Sequence, residues 1–170
     1  MVTDQQITAD EARTIALGLI EAYDAHDPEG VLSYCTSDVT WDNPIVENPL
    51  KGHKAVAEQL RAEFRAFPDF HLSELEVYPS ADGTEAAMRW RVTATMNGPL
   101  EPPGLAATGK PIDIAGMSLY RFAGTKVSEK IMFYNGLDLA RQMRVLPQSD
   151  RIAVLYQKAA TWWDRRRSRS

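Results

Sequence analysis

The pattern of apolar positions is helical at the start of the chain and alternating later. Thr8-Ala9-Asp10-Glu11 has the form of a capping box, in which the threonine hydroxyl and the glutamate each satisfy a free amide of the first turn. Ala12, Ile15, Ala16, Leu19 and Tyr23 then recur at helical spacing and make one apolar stripe. Asp27-Pro28 predicts a second, short helix capped by Asp27, with Val31, Leu32 and Cys35 on its buried side; proline loses nothing at a first helical position. Residues 38–43 read as a strand carrying Val39 and Trp41, and residues 44–52, with two prolines, as a loop. A third helix is expected over 53–67, with Val56, Leu60, Phe64 and Phe67 on one face and Pro68-Asp69 stopping it.

Past that point the period changes to two. Residues 70–78 predict a strand in which Leu72 and Leu75 fall out of phase, so a bulge is expected near Ser73. Ala81-Asp82-Gly83 is a hairpin turn. Residues 85–96 form a long strand with Met88, Trp90, Val92, Ala94 and Met96 on one face and Arg89, Arg91, Thr93 and Thr95 on the other. A connection rich in glycine and proline, residues 97–110, leads to strands over 112–122 and 126–135, joined by Ala123-Gly124-Thr125. A helical turn over 137–145 stops at Pro147. Ser149 or Asp150 caps a last helix to about Asp164, and 165–170 is a basic end. Helices first and hairpin-linked strands afterwards is the α+β pattern. Twisted antiparallel strands curl, and helices closing a curled sheet leave a tapered cavity suited to a ligand. The expected organisation is one domain over 1–147, followed by a C-terminal helix and tail over 148–170.

Composition narrows the partners. The chain of 170 residues has a net charge of −4, which supplies no field for nucleic acid or an anionic membrane surface. A single cysteine, Cys35, forbids a disulfide within the chain. Residues 1–10 are polar, without the features of a secretory leader, and no apolar run reaches membrane-spanning length. The protein is therefore expected to be cytoplasmic, without membrane insertion. No Cys/His pair has zinc spacing, so no metal site is expected.

Several segments together resemble a known family: Tyr23-Asp24-Ala25-His26-Asp27; Trp41-Asp42-Asn43-Pro44 followed by Gly52-His53; Arg89-Trp90-Arg91-Val92-Thr93; Ala107-Thr108-Gly109-Lys110; and Tyr134-Asn135 with Leu139-Ala140-Arg141-Gln142-Met143. Their order resembles the nuclear-transport-factor-two-like fold over about residues 15–147, and within it the SnoaL-like polyketide cyclases and ester cyclases. The resemblance implies a cone-shaped, cystatin-like α+β barrel with N-terminal helices packed on a curved antiparallel sheet. It also implies a pocket for a small apolar organic ligand, with no cofactor; a homodimer is expected because most oligomers are two-fold dimers.

The catalytic patterns of three related groups can be laid on this sequence. SnoaL-like cyclases use a His and an Asp two residues apart on the last strand, and the matching positions here are Lys130 and Met132. Limonene epoxide hydrolases resemble the Trp41-Asp42-Asn43-Pro44 segment, and Trp41, Asn43 and Arg91 match or approximate three members of their site, but Thr93 and Met132 stand in place of both aspartates. Ketosteroid isomerases place their proton-shuttling Asp where this chain has Asn43. Each mechanism loses its carboxylate, and neither an amide nor a thioether can serve as a general base.

The candidate catalytic residues are Asn43, Arg91, Asp42 and Asp113. Asn43 either orients a ligand carbonyl or water or simply ends a strand before a proline. Arg91, favoured as inward-facing by the resemblance, would bind an anionic or enolate oxygen. Asp42 or Glu47, flanking the Asn43 segment, is either the missing carboxylate, with its pKa raised by burial, or a surface loop acid, and Asp113, between Ile112 and Ile114, is either a second inward acid or a convex-face residue. Trp41, Arg89, Met117, Lys130, Met132 and Tyr134 are the candidate substrate-binding residues, Lys130 also serving as an acid if desolvated. Residues 97–110 form either a lid or an ordinary long loop. Three functions remain open. The first is a cofactor-independent enzyme acting on a polyketide-, terpene- or steroid-like molecule by cyclisation, isomerisation or epoxide opening. The others are a small-molecule binding protein and a dimerisation module.

Overall fold

A computed structural model describes residues 7–101 and 103–146. The expected last helix and basic tail therefore lie outside the described residues. The elements run α1 (Ala9–Asp24), α2 (Pro28–Ser33), β1 (Cys35–Asp42), β2 (Leu50–Lys51), α3 (Gly52–Ala66), β3 (His71–Pro79), β4 (Glu85–Thr95), β5 (Pro111–Ala123), β6 (Lys126–Tyr134) and α4 (Gly136–Gln142). This is the α+β architecture expected. The six strands form one curved, unclosed sheet in the order β2-β1-β6-β5-β4-β3.

Local chemistry sets the ends of the elements. The capping box of α1 forms: the Glu11 amide donates to Thr8 Oγ1 at 3.2 Å, and the Thr8 amide donates to Glu11 Oε2 at 2.8 Å. Pro28 occupies the first turn of α2, but Asp27 makes no side-chain cap. The bulge near Ser73 is real. The β3–β4 register shifts between Ser73 and Glu76, and Glu74 sits at φ 52°. Two local expectations change. β1 begins three residues before the predicted strand, because Val127 N–H donates to the Tyr34 carbonyl and draws that segment to β6. The predicted proline loop contains β2, which pairs Leu50 with Trp41. Both changes come from pairing with distant chain, which local periodicity does not register.

Neighbouring strands pair antiparallel except β1 and β6, which run parallel with Trp41 opposite Lys130. The concave face carries Met88, Trp90, Val92, Ile112, Ile114, Ser118 and Tyr120, and α1 and α3 cover it with Leu19, Ile20, Tyr23, Val56 and Leu60. Gly116 is needed here: a Cβ at this position would lie 2.4 Å from the Trp90 ring, so only a bare backbone lets the indole lie across β5. The indole N–H then donates to Ser118 Oγ at 3.0 Å. α4 folds back under the sheet because the Gln142 side chain brackets Asp113, accepting from its amide at 2.7 Å and donating to its carbonyl at 3.0 Å. No helix among the described residues is long and apolar enough to cross a membrane.

Candidate functional site

The helices, the concave face, the 97–110 connection and α4 surround one cavity of about 100 Å³. Most of its wall is apolar: Ile20, Phe67, Phe70, Leu72, Val92, Ile112, Ile114, Leu139 and Met143. The long connection contributes Leu100, Pro103 and Leu105, so it is a structural wall of the cavity. Six polar side chains reach the lining: Tyr23, Asn43, Glu63, Ser118, Lys130 and Tyr134.

Lys130 sits on the inward row of β6 with Met132 and Tyr134. It is a buried lysine, 2% exposed. Its Nζ lies 4.0 Å from the centre of the Trp41 ring, 5.0 Å from Tyr23 and 5.8 Å from Tyr120. These ring faces favour the cation. Loss of water opposes it more strongly, and burial brings the Lys130 pKa down to about 7, against the weaker pull of Glu63 and Cys35. Among the described residues none accepts a hydrogen bond from Nζ.

Glu63 enters from α3. Burial raises its carboxyl pKa above the ordinary value, and the Tyr23 hydroxyl and the Lys130 charge pull it back down. Tyr23 is shifted upward in turn, by burial first and then by Glu63. Glu63 feels the Lys130 charge but forms no ion pair with it within 4.0 Å. Acid and amine thus face the same cavity without cancelling at contact.

Across the cavity, Tyr134 donates to Asn43 Oδ1 at 2.7 Å, and the Ile45 amide donates to the same oxygen at 3.2 Å. With Oδ1 engaged twice, the Asn43 side-chain NH₂ is left as the donor, and no acceptor for it is present among the described residues. Burial also raises the Tyr134 pKa, which keeps it a neutral hydroxyl. Cys35 is buried behind the site, its thiol pushed up to about 11, and is therefore unreactive as a thiolate.

The expected site residues divide between the two faces. Asn43, Lys130, Met132 and Tyr134 line the cavity, and Trp41 stands behind Lys130. The placement of Arg91 and Asp113 is a correction. Both lie on the convex face, where Arg91 grips Asp113 through Nε and Nη2, each at 2.7 Å, and reaches Glu74 at 3.1 Å. On β4 the inward row is Trp90 and Val92, so alternation forces Arg91 outward. Arg89 is likewise outside, paired with Glu74 and Glu76, and Met117 is exposed on the same face. Asp42 ends β1 off the cavity wall.

Two functional candidates went unnoticed in the sequence. Glu63 interrupts the stripe Val56, Leu60, Phe67 at a position that must also face inward, so an acid on an apolar helix face was the available signal. Tyr23 was visible as an apolar member of its stripe and as the start of a segment that carries the resemblance, but not as a cavity group. Among the described residues no group of three His, Cys, Asp or Glu side chains could hold a metal ion.

The SnoaL-like domain model matches residues 16–130. No curated protein matches the chain. Among solved structures, a candidate polyketide cyclase from Pseudomonas putida superposes with a TM-score of 0.72 at 21% identity, covering 81% of this chain and 98% of that one. AclR, a candidate hydroxylase from Streptomyces galilaeus, gives 0.69 at 22% identity, covering 82% and 100%. A cystatin-fold protein from Novosphingobium aromaticivorans gives 0.55 at 28% identity, covering 72% and 97%.

Proposed function

The chain belongs to the SnoaL-like domain family, and from that premise we propose that it is an enzyme moving a proton on a small, mostly apolar molecule that carries a carbonyl group. The observation behind this reading is the pairing of one half-buried acid, Glu63, with one buried amine, Lys130, in the lining of a mostly apolar cavity.

The three related mechanisms laid on the sequence each lacked a carboxylate at the expected strand position. Glu63 supplies one from a helix. With its carboxyl pKa raised by burial, its anion is a stronger base than a surface carboxylate. It would take the proton from the carbon next to the substrate carbonyl. The negative charge then moves to the carbonyl oxygen, where Lys130 and the Asn43 NH₂ are the available partners. Return of the proton at a different carbon gives isomerisation. Attack of the enolate carbon on a second carbonyl of the same molecule gives cyclisation. Epoxide opening is the weaker choice, because Arg91 and Thr93 belong to the outward row of β4 and Met132 cannot activate water.

The test is solvent exchange. In D₂O, the protein should exchange the α-protons of small apolar ketones, followed by NMR, and Glu63→Gln should lower the rate by about 10²–10⁴-fold. A wild-type protein that binds such ketones without exchange or product would be a binding protein instead. Exchange unaffected by Glu63→Gln would remove Glu63 from the mechanism.

A further inference from the structure

We propose that Lys130 is a nucleophile that captures an aldehyde or unhindered ketone as an imine, so that the natural ligand is bound covalently during turnover. The inference rests on the reading of the cavity as a site for a carbonyl compound and names how that compound is held.

The geometry carries the case. A structural lysine turns its ammonium group to water or to a carboxylate. Lys130 does neither: it is buried, and no ion pair or hydrogen bond engages its Nζ among the described residues. Trp41, Tyr23 and Tyr120 surround the amine with aromatic walls. The face it presents to the cavity is therefore its reactive face. Since burial holds the group near pKa 7, about half of it is free amine at neutral pH. An ordinary exposed lysine at that pH is almost wholly ammonium and has no lone pair to offer.

Glu63 completes the chemistry. The Lys130 nitrogen attacks the carbonyl carbon, forming a C–N bond as the carbonyl π pair moves to oxygen and takes up a proton. The nitrogen gives up a proton, the hydroxyl leaves as water once Glu63 protonates it, and C=N replaces C=O. One carbonyl group and one amine give one imine and one water. Glu63 and Lys130 line the same cavity, and Glu63 feels the Lys130 charge without forming an ion pair with it within 4.0 Å. A protonated imine also withdraws electrons more strongly than a carbonyl, so the same Glu63 would find the neighbouring C–H easier to deprotonate.

Borohydride trapping tests this. The intact protein is incubated at pH 7 with benzaldehyde and sodium cyanoborohydride, then analysed by intact mass and peptide mapping. One benzyl group should appear on the peptide containing Lys130. It should be favoured over any exposed lysine by on the order of a hundredfold, the ratio of free-amine fractions tempered by the lower basicity of the amine. The yield at Lys130 should rise with pH to a plateau with a midpoint near 7, whereas labelling of exposed lysines should keep rising well above that. Lys130→Arg, which retains the charge but cannot form the imine, should abolish the adduct. Adducts spread evenly over exposed lysines, or none at Lys130 when NMR shows benzaldehyde in the cavity, would overturn the proposal. Trapping on wild-type protein requires no turnover, so its failure would leave proton transfer by Glu63 standing. Trapping without any solvent exchange would support capture while removing proton transfer.

Discussion

The two faces of the sheet treat charge in opposite ways. The convex face has many charged groups: Arg89 and Arg91 of β4 share Glu74, Glu76 and Asp113, and Arg121 bridges Glu85 and Glu129. Every member of that network is partnered and open to water. Its pKa shifts favour the charged forms: the Arg91 hydrogen bonds hold Asp113 low, and the Asp113 hydrogen bonds hold Arg91 high. Among the described residues the cavity over the concave face is lined by only two charge-bearing side chains, Glu63 of α3 and Lys130 of β6, each shifted toward its neutral form by burial. A group held firmly in its charged form at all working pH values transfers no proton. A group pushed toward neutrality does. The proposed function places the chemistry on the sparse face, and the crowded face is a solvated ion-pair lattice.

The largest expected effect that would break this contrast is at Lys130. Holding its pKa at about 7 instead of 10.5 costs the folded protein on the order of 4–5 kcal/mol at neutral pH. The unfolded chain binds more protons than the folded one between those values. Stability should therefore rise with pH from about 7 to about 10.5 on account of this group, and level off on either side. Lys130→Met should remove that slope and raise stability at pH 7 by about 1–4 kcal/mol, as seen by denaturant melts at several pH values, while abolishing activity. A destabilised Lys130→Met would mean that the aromatic walls hold the cation for structure. A smaller effect is expected at Tyr134→Phe, which removes one of the two donors to Asn43 Oδ1 and should cost about 1 kcal/mol. Its readout is a rise in KM for ketone substrates larger than the fall in kcat. The smallest effects belong to Arg91→Ala and Asp113→Asn, which should leave solvent exchange unchanged and melting nearly so. Either one abolishing activity would undo the division between the faces.

Much of the fold was legible because it is written locally. The capping box, the bulge after Ser73 and the alternation of β4 all follow from residues close in sequence. The site was legible only in part, and the failures share a cause. Alternation states which residues share a face but not which face looks inward. For β4 the polar row Arg89, Arg91, Thr93 and the apolar row Trp90, Val92 already pointed to the correct choice, and the resemblance outweighed them. On β6 no such cue existed: Lys130 and Met132 share the inward row while Phe133 is exposed, the reverse of a hydropathy reading. Glu63 was hidden because one acid in an apolar stripe reads as an imperfection until the cavity beneath it is seen.

The parallel ladder between β1 and β6 also bears on how the protein is made. Trp41 and Lys130 face each other across it, although most of the chain separates them. A ribosome would release the first strand long before the last exists, leaving the edge of β1 unsatisfied and the tryptophan without its cation. The cage around Lys130 is therefore assembled late, when β6 docks between β1 and β5, which are already made. A nascent chain stalled before residue 126 should hold a folded β3–β4 hairpin but no cage, and Trp41 emission would mark the moment of closure.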